Sequence, residues 1–196
     1  MKVLIDNGHG VDTLGKRSPD GKLREYEWAR EIATRVVNAL KLRGYDAERI
    51  VTERSDVNLG ERCRRVNAQC KANGASNVLL VSIHVNAAGI GGWKSARGWS
   101  GWVYTEGSSR SKKLAQLLYA EAEKRGLKGN RAVPACKYWT ANFYILRNTN
   151  CPAVLTENLF MDNQEDVTYL LSEEGKKAIT ELHVEGIINY IKWLGK

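Results

Sequence analysis

The stretch LLVSIHVNAAG, residues 79–89, stays apolar for the length of a strand and then ends on a histidine, an asparagine and small residues. With Val78 in front, the run to Ile83 is broken only by Ser82, and a strand of that kind is buried on both faces of a parallel sheet. VLIDNGHG, residues 3–10, repeats the pattern of an apolar run that spills into glycines around a histidine. Reading outward from these two, strands are expected at 2–6, 47–52, 78–83 and 153–156. Helices are expected between them: 29–42, with Ala29, Ile32, Ala33, Val36, Val37 and Leu40 on one face and Gly44 as the stop; 59–72, after Asp56 or Asn58 as cap; and 111–125. Asp162 and Glu165 suggest a capping box for a helix to about 171, and Ser172 caps a last helix with Ile179, Leu182, Ile187 and Ile191 inward. Alternating strands and helices predict a single-domain three-layer α/β fold over residues 1–196, a mostly parallel twisted sheet with helices on both faces. Two segments, 88–102 and 127–142, fit neither period.

The chain has 196 residues, enough for one well-buried domain and short for two. No run approaches the roughly 18 apolar residues that cross a bilayer, so no membrane insertion is expected. The N-terminus enters a strand-like run at once and shows no export signal. A net charge of +8 favours polyanionic partners, among them nucleic acid, an anionic membrane surface or a wall polymer, without choosing among them. Cys63, Cys70, Cys136 and Cys151 lack the paired spacing of a zinc ribbon, and Cys63 and Cys70 are too far apart along one helix for a relaxed disulfide, so free or buried thiols are expected.

In open α/β sheets, sites gather at the carboxyl ends of strands. His9, His84 and Glu157 all fall there, and Glu25 falls just before the first helix. Two imidazoles and one carboxylate are a common catalytic zinc set with a fourth position open to water, and a second carboxylate can take that water's proton. His9, Glu25 and His84 are thus candidate ligands and Glu157 a candidate general base. Spacing alone does not separate Glu25 from Glu27 in LREYEWAREIA.

LIDNGHG, LREYEWAREIA, SIHVNA and PAVLTENLF, in that order, resemble the catalytic domain of the zinc-dependent N-acetylmuramoyl-L-alanine amidases, the third amidase type of bacterial autolysins and phage endolysins. ERSDVNLGERCRRVN is similar to the same family's pattern at Arg54, Asp56, Leu59, Arg62 and Asn67. The resemblance implies one Zn2+ per chain held by His9, Glu25 and His84, with Glu157 in the catalytic position. It implies a peptidoglycan substrate, cut between the lactyl group of N-acetylmuramic acid and the L-alanine of the stem peptide, and no nucleic-acid partner. It also implies action on the cell wall outside the cytoplasmic membrane, as a released phage or prophage lysin or as a processed secreted enzyme. The chain departs from the pattern at Asn7, where proline is usual, at Val11, where a second glycine is usual, and in ENLF, which lacks the glycine often found before the phenylalanine.

Other residues are read more plainly. Asn86 meets substrate or ties down its own turn. Trp93, Trp99 and Trp102 stack on substrate or anchor a loop, with anchoring favoured. His183 is expected to be without chemistry, and Arg62, Arg64, Arg65 and Lys71 to form a solvated helix face. Two rival functions remain open: another zinc amidohydrolase or peptidase on the same scaffold, or a non-catalytic wall-binding module.

Overall fold

A computed structural model describes residues 1–195. In chain order the elements are β1 (Lys2–Asn7), α1 (Glu25–Leu42), β2 (Asp46–Arg49), α2 (Leu59–Asn73), a 3-10 turn (Ala75–Asn77), β3 (Val78–Asn86), β4 (Ser100–Tyr104), α3 (Ser109–Lys124), β5 (Trp139–Ala141), α4 (Tyr144–Arg147), β6 (Ala153–Phe160), α5 (Gln164–Leu171) and α6 (Glu173–Trp193). The strands form one sheet in the order β2-β1-β3-β6-β4-β5. Every neighbouring pair is parallel except β4 with β6.

Period-two alternation sorts the sheet into two faces. Val3 and Ile5 of β1, Leu79, Val81 and Ile83 of β3 and Val154 of β6 join the larger core, beneath α1, α3 and α6. Leu4, Leu80 and Leu155 face the other way and pack with Cys63, Val66 and Cys70 of α2 and Ile145 of α4. His84 and Glu157 are register partners on adjacent strands. Even-step spacing from Leu80 and Leu155 puts both on the thinner, α2 side. After β1 the chain goes to β2 on one flank and returns to β3 on the other, so the direction of winding reverses between β1 and β3. A crevice opens at the carboxyl ends of strands at such a point.

The helix ends explain several boundaries. Asn58 caps α2 by accepting from Glu61 N–H, and Ser172 caps α6 by accepting from Gly175 N–H. For α5 the cap is Asn163, not the expected Asp162–Glu165 box: Asn163 Oδ1 accepts from Asp166 N–H, while Asp162 turns away and accepts from the N–H groups of Ala88 and Gly89. The first helix begins a turn earlier than expected, at Glu25 itself. β3 and β6 run past their apolar cores to Asn86 and Phe160. The first unassigned segment runs into the short strand β4, and the second contains β5. All four cysteines are free. Among the described residues no helix is long and apolar enough to cross a membrane.

Candidate metal centre

At the end of β1 the chain makes a turn with room for only one side chain. A Cβ on Gly8 would come within 2.5 Å of the His84 ring, and one on Gly10 within 2.0 Å of the Asp56 backbone. Between them His9 adopts a left-handed backbone with φ of 62°. Few residues other than glycine accept that conformation, and it persists where the surroundings impose it, often at functional sites. Arg30 donates to the His9 carbonyl and helps to hold the turn.

Glu25 opens α1, where the aligned N–H groups favour an anion. Its side chain is 1% exposed, against 56% for Glu27, which separates the two glutamates that spacing alone left tied and agrees with the choice implied by the resemblance. Glu25 Oε1 accepts from Val85 N–H and lies 3.1 Å from His84 Nδ1; Oε2, buried without a hydrogen bond, is 3.4 Å from His9 Nε2. The two imidazoles meet edge to face with centroids 5.2 Å apart. Burial opposes ionisation of Glu25, but the His84 hydrogen bond and the adjacent His9 imidazole outweigh it and hold the carboxylate well below its usual range.

One donor atom from each of His9, Glu25 and His84 lies within 4.8 Å of the other two. Corners of a zinc tetrahedron with bonds of about 2.1 Å are roughly 3.4 Å apart; the two imidazole–carboxylate separations of 3.1 and 3.4 Å match that spacing, and the full donor set, within 4.8 Å, would draw in to close on an ion. The orphaned Glu25 oxygen is the acceptor that a cation would satisfy.

Glu157 stands beside this cluster in a cleft of about 430 Å3 whose polar wall includes His9, Lys16 and His84 and whose apolar wall includes Phe143, Tyr144 and Leu155. Its Oε2 is buried without a partner. Burial, with help from the Glu25 charge, pushes the Glu157 carboxyl up to about 7 against the pull of His84. The cleft therefore combines a set of hard and borderline donors, a carboxyl poised near neutrality and an apolar flank.

The structure corrects or refines other expectations. Arg62 is not on a solvated face: at 2% exposed it pairs with Asp6 and Asp56 and donates to the carbonyls of Asn7 and Val57. Arg64 on the same helix is solvated. Trp99 is a loop anchor, fully buried with its indole N–H on Asn158 Oδ1, whereas Trp102 is half-buried against Trp139 and Phe143. Asn86 Oδ1 accepts from the next residue's N–H, so its oxygen ties down its own turn. His183 is buried in α6. Asp6 and Ser82, which the sequence reading passed over as strand interior, sit directly behind His84. The signal was a carboxylate and a hydroxyl inside apolar runs.

A family model of N-acetylmuramoyl-L-alanine amidases matches residues 3–189. The chain belongs to this amidase family. Among amidase relatives, it is 34% identical over 194 residues to the endolysin of Bacillus phage SPP1, covering 94% of this chain and 64% of the endolysin. It is 30% identical over 193 residues to the N-acetylmuramoyl-L-alanine amidase CwlM of Bacillus licheniformis, covering 95% of this chain and 67% of CwlM. The solved catalytic domain of CwlV, an N-acetylmuramoyl-L-alanine amidase of Bacillus (Paenibacillus) polymyxa, superposes with a TM-score of 0.81 at 26% identity, covering 98% of this chain and 99% of that one. The chain thus spans 64% of the length of the phage endolysin and almost all of a solved amidase catalytic domain.

Proposed function

We propose that residues 1–196 form a peptidoglycan amidase catalytic domain that hydrolyses the bond between the lactyl group of N-acetylmuramic acid and the L-alanine of the stem peptide. The observation that carries this reading is the convergence of His9, Glu25 and His84 on one point beside Glu157, in a chain of this family. The three donors would hold one zinc ion, which when bound supplies Lewis acidity toward an amide carbonyl and toward water. The protein's own groups do the rest. Glu157 accepts the proton of the attacking water and returns it to the nitrogen of the departing alanine, a double duty that suits a carboxyl whose affinity for protons is balanced near neutral pH. The apolar wall of Phe143, Tyr144 and Leu155 excludes water from one side of the cleft and offers a surface to the aliphatic parts of a stem peptide. Asn86, whose oxygen is engaged by its own turn, has its NH2 group to offer a substrate carbonyl. The site of action is the wall, outside the cytoplasmic membrane.

The test is to incubate the protein, with zinc and separately with chelator, on peptidoglycan stripped of teichoic acid and to assay freed N-terminal alanine. Zinc-dependent appearance of alanine termini with intact glycan strands supports the proposal. Zinc binding without alanine termini would show that the metal assignment holds and the bond is wrong. Glu157→Gln should lower turnover by about 100- to 10,000-fold while zinc stays bound; loss of zinc in that variant would show that Glu157 is a ligand instead.

A further inference from the structure

Behind the metal-facing side of His84 runs a continuous polar chain. His84 Nε2 lies 3.1 Å from Ser82 Oγ, and Ser82 Oγ lies 2.5 Å from Asp6 Oδ2. Asp6 Oδ1 accepts from Arg62 Nη1 at 2.6 Å, and Arg62 also donates to the carbonyls of Asn7 and Val57 and to Asp56. Ser82 is fully buried, and Asp6 and Arg62 nearly so. The chain crosses three elements, β3, β1 and α2, and ends on an ion pair.

The direction of each bond follows from what each group can give. Arg62 only donates, so Asp6 Oδ1 accepts, and in this ion pair the carboxylate leaves Oδ2 an acceptor as well. Ser82 has one proton, and Asp6 takes it. The Ser82 oxygen can then offer His84 only a lone pair, so His84 Nε2 must carry the N–H. With the Nε2 proton committed to Ser82, Nδ1 is the nitrogen left for Glu25 in the metal-free site, where it donates to Oε1, and for an ion that takes the place of that proton.

We propose that Asp6 and Ser82, clamped by Arg62, are positioning residues that keep the His84 proton on Nε2 and so make Nδ1 the nitrogen that an ion takes. The proposal rests on the metal reading above and deepens it. It gives a role to Arg62 and Asp56, two residues of the ERSDVNLGERC stretch that the ligands and Glu157 leave unexplained. A hydrogen bond to the far nitrogen of a ligating histidine fixes ring orientation and raises ligand basicity, and its loss commonly weakens metal binding by about 10- to 100-fold.

The polarity of the chain yields a test that separates tautomer selection from mere support. In Asp6→Asn, Arg62 keeps the carboxamide oxygen, so the NH2 group turns to Ser82. Ser82 then accepts from Asn and donates its own proton to His84 Nε2, which drives the His84 proton onto Nδ1. Ser82→Ala only removes the acceptor. Ser82→Thr keeps the hydroxyl.

The experiment is zinc affinity of each folded variant, by competition with a chromophoric chelator at fixed pH, with the thermal midpoint of the metal-free protein measured alongside. Wild type is expected to bind one zinc. Ser82→Ala is expected to bind it about 10- to 100-fold more weakly, Asp6→Asn more weakly still, and Ser82→Thr within a few-fold of wild type. Long-range nitrogen-15 spectra of histidine-labelled, zinc-loaded wild type should show the His84 proton on Nε2. Unchanged zinc affinity in Ser82→Ala, or a His84 proton on Nδ1, would overturn the proposal while leaving the amidase reading in place. Failure of the wild-type protein to bind zinc at all would overturn both.

Discussion

Leu159 carries a cost that its neighbours disguise. It sits just after Glu157 with φ of 63°, where the ladder between β3 and β6 shifts register, and its side chain is buried in the larger core. The left-handed region costs a branched residue about 1–2 kcal/mol, and truncating a buried leucine costs about 2–5 kcal/mol. Alanine at this position loses the packing and keeps most of the strain; glycine loses the packing and sheds the strain. Leu159→Gly is therefore expected to be more stable than Leu159→Ala by about 1 kcal/mol in urea denaturation, the reverse of the ordinary order in regular structure. The missing glycine of ENLF is thus a backbone matter, as the strain at His9 is. Neither strain is legible in a single sequence, because the left-handed conformation is imposed by the fold. His9, His84 and Glu157 were legible because each follows an apolar run that could only be a strand. Arg62 was not, since its neighbours Arg64 and Arg65 form ordinary surface pairs with Glu61, one exposed and one half-buried, and hide the arginine that turns fully inward.

Among the elements, α6 is tied to β6 by a histidine that titrates against the fold. His183 Nδ1–H donates to Ile179 O, and its Nε2 accepts from Thr156 Oγ1. Burial lowers the ring from an ordinary value of 6.5 to about 4. Above pH 6.5 the ring is neutral in folded and unfolded chains alike and the pH term is absent. As pH falls from 6.5 toward 4 only the unfolded chain gains the proton, so stability is lost across that window, by up to about 3 kcal/mol from this residue alone. In His183→Gln the fall in unfolding free energy between pH 6.5 and 4 should be shallower by a comparable amount in urea titrations at stepped pH. An equal slope in the variant would show that other groups carry the acid sensitivity. The same scale shows where pattern reading fails. The long helices announced themselves by period, whereas β4 and β5 have five and three residues and no apolar alternation of their own; β4 forms on the edge that β6 offers, and β5 on the edge of β4. Asp162 and Asn163 are both competent caps, and only the pull of the Ala88 and Gly89 amides on Asp162 decides between them.

At the scale of the whole molecule, the three candidate ligands come from the end of β1, the start of α1 and the end of β3, so a shared ion would join segments far apart in the chain. An ion that binds only the folded form stabilises it by about 2.7 kcal/mol at a hundred times its dissociation constant. For a chain of this size that corresponds to a rise of roughly 5–10 °C in the thermal midpoint on going from chelator to zinc, and His84→Ala should abolish the difference. Overall architecture was the most legible level of all, because alternating strands and helices admit few arrangements. The mouth of the cleft was the least legible, because its loops are shaped by contacts and not by period.

The antiparallel course of β4 has a practical result. Since β3 ends and β4 begins at the same edge of the sheet, residues 87–99 leave and re-enter at the rim beside Glu157 and never cross the body of the protein. Asp162, Asn163 and Asp166 clip that segment at Ala88 and Gly89, at Lys94, and at Arg97 and Gly98. It behaves as a cassette with fixed end fittings. Exchange of residues 90–93 and 95–96 for those of a relative should change which cross-linked walls are digested in turbidity assays while zinc affinity stays within about twofold, so this rim is the place to retune substrate choice without rebuilding the chemistry.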